Sequence, residues 1–306
     1  MSMRTVESAD CSKRRRNVQA KIIDGKAVAQ QLRAQLKQKA EDFEKKNKRM
    51  AGLAVVLVGA DPASQVYVRN KIAGCKQVGI NSFEHYLDAD TKQEALDELI
   101  DKLNADKNVD GILVQLPLPG QLDERRALSR VLACKDVDGF HVENAGALML
   151  GGDCLAACTP SGCVELIKST GVDMTGKHAV ILGRSNIVGK PIALLLLQQN
   201  CTVTICHSKT QDLARIAKTA DILVAAIGKK EFVTGDMVKP GAIVIDVGIN
   251  RHDGKLFGDV NFAEASEVAG YITPVPGGVG PMTITMLLSN TLKAAELNAI
   301  NRGEPK

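Results

Sequence analysis

Short apolar runs alternate along this chain with longer stretches of helical period, and that alternation restricts the fold more than any other feature. From Asp24 to Asn47 the residues Val28, Leu32, Leu36 and Ala40 recur every fourth position with charges between them, the pattern of an amphipathic helix. Leu53 to Gly59 is an apolar run closed by glycine, Ala63 to Val78 returns to helical period, and a polar helical stretch from Thr91 to Asn104 precedes the strand pattern Ile112 to Leu116. The second half repeats the scheme more strongly. His178 to Gly183, Val203 to Cys206, Ile222 to Gly228 and Ala242 to Gly248 are apolar runs, separated by helical segments such as Gly189 to Gln199 and Gln211 to Thr219. Continuous apolar runs suit strands covered on both faces, and their alternation with helices predicts parallel sheets with crossover connections.

The expected fold class is therefore α/β, with two domains each built around a mostly parallel sheet, the second Rossmann-like. A length of 306 residues suits two such domains. The predicted division is a disordered leader over 1–18, a first domain over 19–158 plus 282–301, and a second over 159–281. The helix from Pro281 to Asn298 is expected to pack back on the first domain.

Charge and composition exclude several function classes. Lys plus Arg exceeds Asp plus Glu by only 39 − 35 = 4, too balanced to point to a nucleic acid or a membrane surface. Aromatic residues make up 3% with no Trp, which argues against base-stacking platforms. The longest apolar runs, Ile192 to Leu197 and Ile222 to Ile227, fall far short of the roughly 20 residues that cross a bilayer. The leader holds Arg14, Arg15 and Arg16 but also Glu7 and Asp10 and no apolar core; a cytoplasmic protein is expected, with mitochondrial import as the weaker alternative. Eight cysteines lack paired Cys-x-x-Cys spacing, so free thiols in a reducing compartment and no metal site are expected.

Three constellations could carry chemistry. The first, Gly183-Arg-Ser-Asn-Ile-Val-Gly189-Lys-Pro191, follows a strand and opens a helix. It reads either as a phosphate cradle at a helix N-terminus or as a tight strand-to-helix turn. The next strand runs into His207-Ser208-Lys209, without the acidic residue that takes a ribose 2′-hydroxyl in NAD sites. Arg184, Ser208 and Lys209 could instead surround a 2′-phosphate, which favours NADP. The competing reading makes His207 and Ser208 a capping turn.

The second constellation is Tyr67-Val-Arg-Asn-Lys71, where the i to i+4 spacing sets a phenol and an ammonium on one helix face. It reads as an acid–base pair or as a core Tyr beside a snorkelling surface Lys. Short-chain dehydrogenases use Tyr-x-x-x-Lys after the cofactor loop; here the pair precedes it. The third set lies at strand ends: Gln115 in Val114-Gln-Leu-Pro-Leu-Pro119, Asp138 in Lys135-Asp-Val-Asp-Gly139, and the run Pro274 to Thr283. Ligands in open parallel sheets sit at carboxyl ends of strands, and a carboxylate can accept two parallel hydrogen bonds from an amidine-like edge.

Taken together, Asp61 to Lys71, Val114 to Pro119, Lys135 to Gly139, Gly183 to Ser185 and Pro274 to Thr283 closely resemble the bifunctional methylenetetrahydrofolate dehydrogenase/cyclohydrolase family, over about Ala20 to Ala299. The resemblance implies oxidation of 5,10-methylenetetrahydrofolate by NADP and hydrolysis of the methenyl product to 10-formyltetrahydrofolate. It implies that Lys71 is the acid–base residue of hydrolysis, tuned by Gln115, with Tyr67 lining the aminobenzoyl part and Asp138 holding the pteridine edge. By the same carry-over Val114, Leu116, Pro276, Gly277, Gly278, Gly280 and Thr283 contact the folate; Gly183, Arg184, Ser185, Ser208 and Ile249 contact NADP. A homodimer is expected on this ground alone, with folate as partner and neither nucleic acid nor membrane. A monofunctional dehydrogenase and a non-catalytic NADPH-binding module are the competing readings, and the intact set Tyr67, Lys71, Gln115 and Asp138 counts against both.

Overall fold

The alternation resolves into two parallel sheets. The computed structural model describes residues 19–301; the expected leader over 1–18 and Cys11 lie outside them. In chain order the elements are β1 (Lys21–Ile22), α1 (Gly25–Asn47), β2 (Gly52–Val58), α2 (Pro62–Val78), β3 (Asn81–Leu87), α3 (Gln93–Ala105), β4 (Gly111–Val114), α4 (Glu124–Arg130), α5 (Val142–Met149) and α6 (Cys158–Ser169). They continue as β5 (His178–Leu182), α7 (Gly189–Gln198), β6 (Thr202–Cys206), α8 (Leu213–Ala217), β7 (Ile222–Ala225), β8 (Ile243–Asp246), β9 (Asn250–His252), β10 (Lys255–Phe257), α9 (Phe262–Ser266), β11 (Tyr271–Ile272) and α10 (Val279–Asn301).

The first sheet has the order β3-β2-β4 and is parallel, with Val55 opposite both Glu84 and Leu113. Every residue of β2 is buried, as a strand covered on both faces requires. On one face Leu53, Val55 and Leu57 pack with Leu36 and Phe43 of α1, Val68 and Ile72 of α2, and Leu287, Leu288 and Leu292 of α10. On the other, Ala54 and Val56 meet Leu96 and Ile100 of α3.

The second sheet has the order β1-β11-β8-β7-β5-β6, with every pairing parallel. From β5 onward its five strands follow a doubly wound order, in which the chain reverses direction across the sheet between β5 and β7. That reversal opens a crevice outside the carboxyl ends of the two strands. Ile181 and Val224 pack against α6 and α7 on one face, and Val180 and Leu223 against Ala217, Met237 and Val238 on the other.

Two segments cross between the halves. β1 pairs with β11 at the edge of the second sheet, although it immediately precedes α1 of the first half. α10 leaves the second half to pack against α1, α2 and α6. Among the described residues no helix is long and apolar enough to cross a membrane. The described cysteines are free: Cys75, Cys158, Cys163, Cys201 and Cys206 are buried and Cys134 is exposed.

Candidate active site

Helix α2 positions the first pair. The Asp61 side chain accepts from the Ser64 amide at 2.7 Å, Pro62 occupies the first turn, and Gly79 closes the helix at φ 88°, conformations suited to an N-cap, a helix start and a C-cap. Tyr67 is exposed, whereas Lys71, one turn later, is buried with 8% exposure. Burial rules out a snorkelling Lys. Its Nζ donates to Gln115 Oε1 at 2.9 Å. Gln115 leaves the end of β4, its amide donating to the Val56 carbonyl and its Nε2 to the Leu116 carbonyl at 2.6 Å. With Nε2 occupied in this way, Oε1 faces the ammonium.

Asp138 stands on a loop held from several sides. The buried Lys135 donates its Nζ to the carbonyls of Leu103 and Asp106, closing α3. Asp136 accepts from the His141 amide at 2.7 Å and from Asn144 Nδ2 at 3.0 Å. Asn290 of α10 donates to the Val137 and Ala156 carbonyls, each at 2.9 Å. A Cβ at Gly139, where φ is 77°, would fall 2.5 Å from the Ala156 carbonyl carbon, so glycine is needed for the two strands of this loop to meet. Burial pushes the Asp138 carboxyl up to about 6, against the pull of the Lys71 charge and with the push of Asp136. A carboxylate so desolvated favours donors brought by a ligand.

A cavity of about 940 Å³ opens along the Tyr67 face of α2, and Lys71, Gln115 and Asp138 are not among the residues that line it. α1 lines it with Lys26 and Arg33, α2 with Tyr67, Asn70 and Gly74, the end of β8 with Asp246 to Ile249, and the run into α10 with Pro274 to Pro281, Thr283 and Ile284. This run lies tight against α1: a Cβ on Gly25 would sit 1.8 Å from the Gly278 carbonyl oxygen. Gly277 has φ 107°. Arg33 donates to Thr285 Oγ1 at 2.9 Å and Gln77 Oε1 at 3.1 Å, joining α1, α2 and α10. Thr283 and Thr159 share a hydroxyl contact of 2.9 Å.

The glycine-bearing turn occupies the crevice between β5 and β7. Gly183 has φ 125°, and a Cβ there would lie 2.1 Å from the Ala226 carbonyl oxygen; one on Gly189 would lie 2.3 Å from the Gly183 carbonyl oxygen. Backbone thus approaches backbone where a side chain would stand. Ser185 Oγ accepts from the amides of Val188 and Gly189 at 3.1 and 3.3 Å, capping the start of α7. Arg184 and Ser208 are exposed. The turn at 207–210 is closed by Thr210 Oγ1 accepting from the His207 amide, and α8 begins only after Asp212. Ser208 is therefore not a helix cap, and its hydroxyl stays open to a ligand. A turn with glycine at both of its close backbone approaches, an exposed Arg and Ser beside it, and no acidic residue directly after β6 fit a dinucleotide with a 2′-phosphate.

The structure thus brings Lys71, Gln115 and Asp138 into one cluster, and Tyr67, Ile249, Pro276, Gly277, Gly278, Gly280 and Thr283 onto one cavity. Val114 is placed otherwise: its side chain is 2% exposed in the core under α3, and Leu116 packs against the same core. Val114 would reach a ligand only through main-chain groups, whereas Leu116 is half-buried. Sequence reasoning missed the supports Arg33, Lys135, Asn144 and Asn290.

A doubly wound sheet with this glycine-bearing turn at its switch point, together with a buried Lys–Gln pair and an open cleft, defines the class as an α/β protein with a dinucleotide-binding crevice. The family model for the tetrahydrofolate dehydrogenase/cyclohydrolase catalytic domain matches residues 23–138, and that for its NAD(P)-binding domain matches residues 157–299. The chain belongs to this family, and it is a bifunctional NADP-dependent enzyme of one-carbon folate metabolism. It is 59% identical over 281 residues to the bifunctional protein FolD of Dechloromonas aromatica, covering 92% of this chain and 99% of that one. The crystal structure of FolD from Campylobacter jejuni superposes with a TM-score of 0.88 at 47% identity, covering 91% and 99% of the two chains. The Trypanosoma brucei enzyme, solved with NADP and an inhibitor, gives 0.87 at 40% identity over 91% and 98%.

Proposed function

We propose that Lys71 exchanges the proton of the hydrolytic step, that Gln115 orients it, and that Asp138 binds the paired N–H donors of the pteridine. The observation that carries this reading is the buried Lys71 Nζ held 2.9 Å from Gln115 Oε1 beside a desolvated Asp138. Oxidation of the methylene group needs little from a side chain, because a neighbouring nitrogen lone pair expels the hydride and positioning does most of the rest. Bound NADP supplies the hydride acceptor. Hydrolysis is different: water adds to the methenyl carbon, releasing a proton, and a ring nitrogen must be protonated as its bond to that carbon breaks. A Lys that can move a proton at that nitrogen performs the step.

Tyr67, Pro276 to Gly278, Gly280 and Thr283 line the cavity and take the folate in this reading, with the main chain at Val114 and with Leu116 completing it. Gly183, Arg184, Ser185, Ser208 and Ile249 hold NADP, with Arg184 and Ser208 at the 2′-phosphate. Residues 24–158 plus 282–301 form the folate-binding body, supported by the packing of α10 on α1 and α2, and 159–281 form the NADP-binding body; the expected boundary at 19 moves past β1, because Lys21–Ile22 is hydrogen-bonded into the second sheet. The working form is a cytoplasmic homodimer, with neither nucleic acid nor membrane as partner; light scattering on the purified chain tests its mass. The reading as a whole is tested by following NADPH and methenyltetrahydrofolate absorbance separately in wild type and in the Lys71→Met variant. Loss of hydrolysis with retained oxidation is expected.

A further inference from the structure

Two carboxylates are buried where the second sheet meets the cavity, and neither is used by the chemistry above. Asp246 ends β8 and is 4% exposed; Asp259, after β10, is fully buried. Asp246 Oδ1 accepts from the amides of Gly248 and Asp259, and Oδ2 from that of Val260, each at 2.9 Å. Asp259 Oδ2 accepts from the amides of Ile227 and Gly228 at 2.6 and 2.9 Å, and Oδ1 from the Lys229 amide and Asn250 Nδ2 at 3.0 and 2.9 Å. Six of these seven donors are backbone N–H groups.

The two side chains cross through gaps that only glycine leaves. A Cβ on Gly248 would lie 2.2 Å from Asp259 Oδ1, and one on Gly258 would lie 1.8 Å from Asp246 Oδ2. The result is a knot of three segments: 227–229 after β7, 247–250 after β8, and 258–260 after the β9–β10 hairpin. Burying two like charges side by side costs stability, and Asp246 is pushed up to about 6 by burial despite its three donors. A plain turn could close these loops with less. What this arrangement adds is rigidity at the carboxyl ends of adjacent parallel strands, where an open sheet binds its ligand, and Val247 to Ile249 form that wall of the cavity.

We propose that Asp246 and Asp259 are positioning residues for the cofactor wall, holding the backbone at 227–229 and 247–250 in the shape that NADP meets. The inference rests on the reading of residues 183–185, 208 and 249 as the NADP site. Its consequence is a split between the two activities, because hydrolysis of the methenyl substrate uses no NADP, whereas oxidation does.

The test uses the full-length Asp259→Asn variant, whose amide N–H₂ faces backbone donors. KM for NADP and the NADPH dissociation constant should rise by about tenfold, while kcat/KM for hydrolysis of methenyltetrahydrofolate changes by less than about twofold. Equal loss of both activities would reduce Asp259 to a structural residue and overturn the proposal, as would unchanged NADP binding. Should Asp259→Asn fail to fold, Asn250→Ser removes only one donor; about a two- to fivefold rise in KM for NADP is expected, and no rise overturns the proposal. Arg184→Ala measured alongside separates the two readings. If it weakens NADP binding and Asp259→Asn does not, the positioning role alone fails; if neither weakens it, the cofactor site itself is elsewhere.

Discussion

Asp138→Asn separates a binding role from a structural one because the two predict opposite changes in stability. In the folded chain burial pushes this carboxyl from 3.8 up to about 6, so the folded state favours the neutral form. Between pH of about 4 and 6 the folded chain holds a proton that the unfolded chain has released, and stability falls as pH rises through that window. The deficit is complete at neutral pH and is on the order of 3 kcal/mol. An Asn side chain is neutral at every pH and escapes it, so the variant should be more stable than wild type at pH 7 and no more stable near pH 4. Folate binding moves the other way. Paired pteridine N–H donors lose one acceptor and the charge, a contact of about 1.5–3 kcal/mol, or roughly ten- to a hundredfold in affinity. The wild-type kcat/KM for folate should fall about tenfold per pH unit below about 6 as the carboxylate is neutralised, and the variant should lack this limb. The assays are thermal melts at both pH values and folate titration with NADP affinity as control. A variant that is less stable at pH 7 and binds both ligands poorly would refute the argument, and unchanged folate affinity would remove Asp138 from the pocket.

Lys71→Met keeps the apolar stem but cannot exchange a proton; methenyltetrahydrofolate absorbance should show hydrolysis abolished while NADPH formation survives, and hydrolysis near the wild-type rate would exclude Lys71 from the step. Arg184→Ala combined with Ser208→Asp should cost NADP on the order of ten- to a hundredfold in affinity and NAD far less, since only NADP carries the 2′-phosphate; equal weakening of both cofactors would move the phosphate site elsewhere. Gly183→Ala forces a Cβ to within 2.1 Å of the Ala226 oxygen at φ 125°, so a loss of a few kcal/mol in chemical denaturation together with weaker NADP binding is expected, and a variant as stable as wild type would contradict the close approach of β5 and β7.

The sequence made most of the sheet cores legible because β2, β7 and β8 are covered on both faces and read as unbroken apolar runs. The predicted runs Ile222 to Gly228 and Ala242 to Gly248 overshoot β7 and β8; the excess residues leave the sheet to bond the buried Asp259 and Asp246. β3 escaped notice because Asn81–Leu87 is an edge strand with half-polar content, and α6 because Pro160 and Gly162 interrupt its period. β1 has two residues and a partner 250 positions away, so no local signal exists for it. At the site, residue types and spacing singled out Lys71, Gln115, Asp138 and Gly183. Their supports were hidden, since Lys135 and Asn290 act on carbonyls far away in sequence.

The two crossings between the halves fix the two sheets relative to each other. Lys71 and Gln115 belong to the three-stranded sheet and its α2, whereas Gly183 and Arg184 belong to the six-stranded sheet. A hinge at a single linker would leave their separation loose. Here β1 is hydrogen-bonded into the second sheet directly before α1 enters the first core, and α10 carries Asn290 to the Asp138 loop directly after the glycine-rich run. The two crossings touch where Gly25 meets the Gly278 carbonyl, at a spacing that admits no Cβ, so the entry to α1 and the entry to α10 are packed as one unit along the cavity wall. In the proposed reading, Lys71 and the β5–β7 crevice are thereby held in register through backbone contacts. It follows that side chains serving one reaction can be replaced without disturbing the other, while a side chain at position 25 or 278 would impair both.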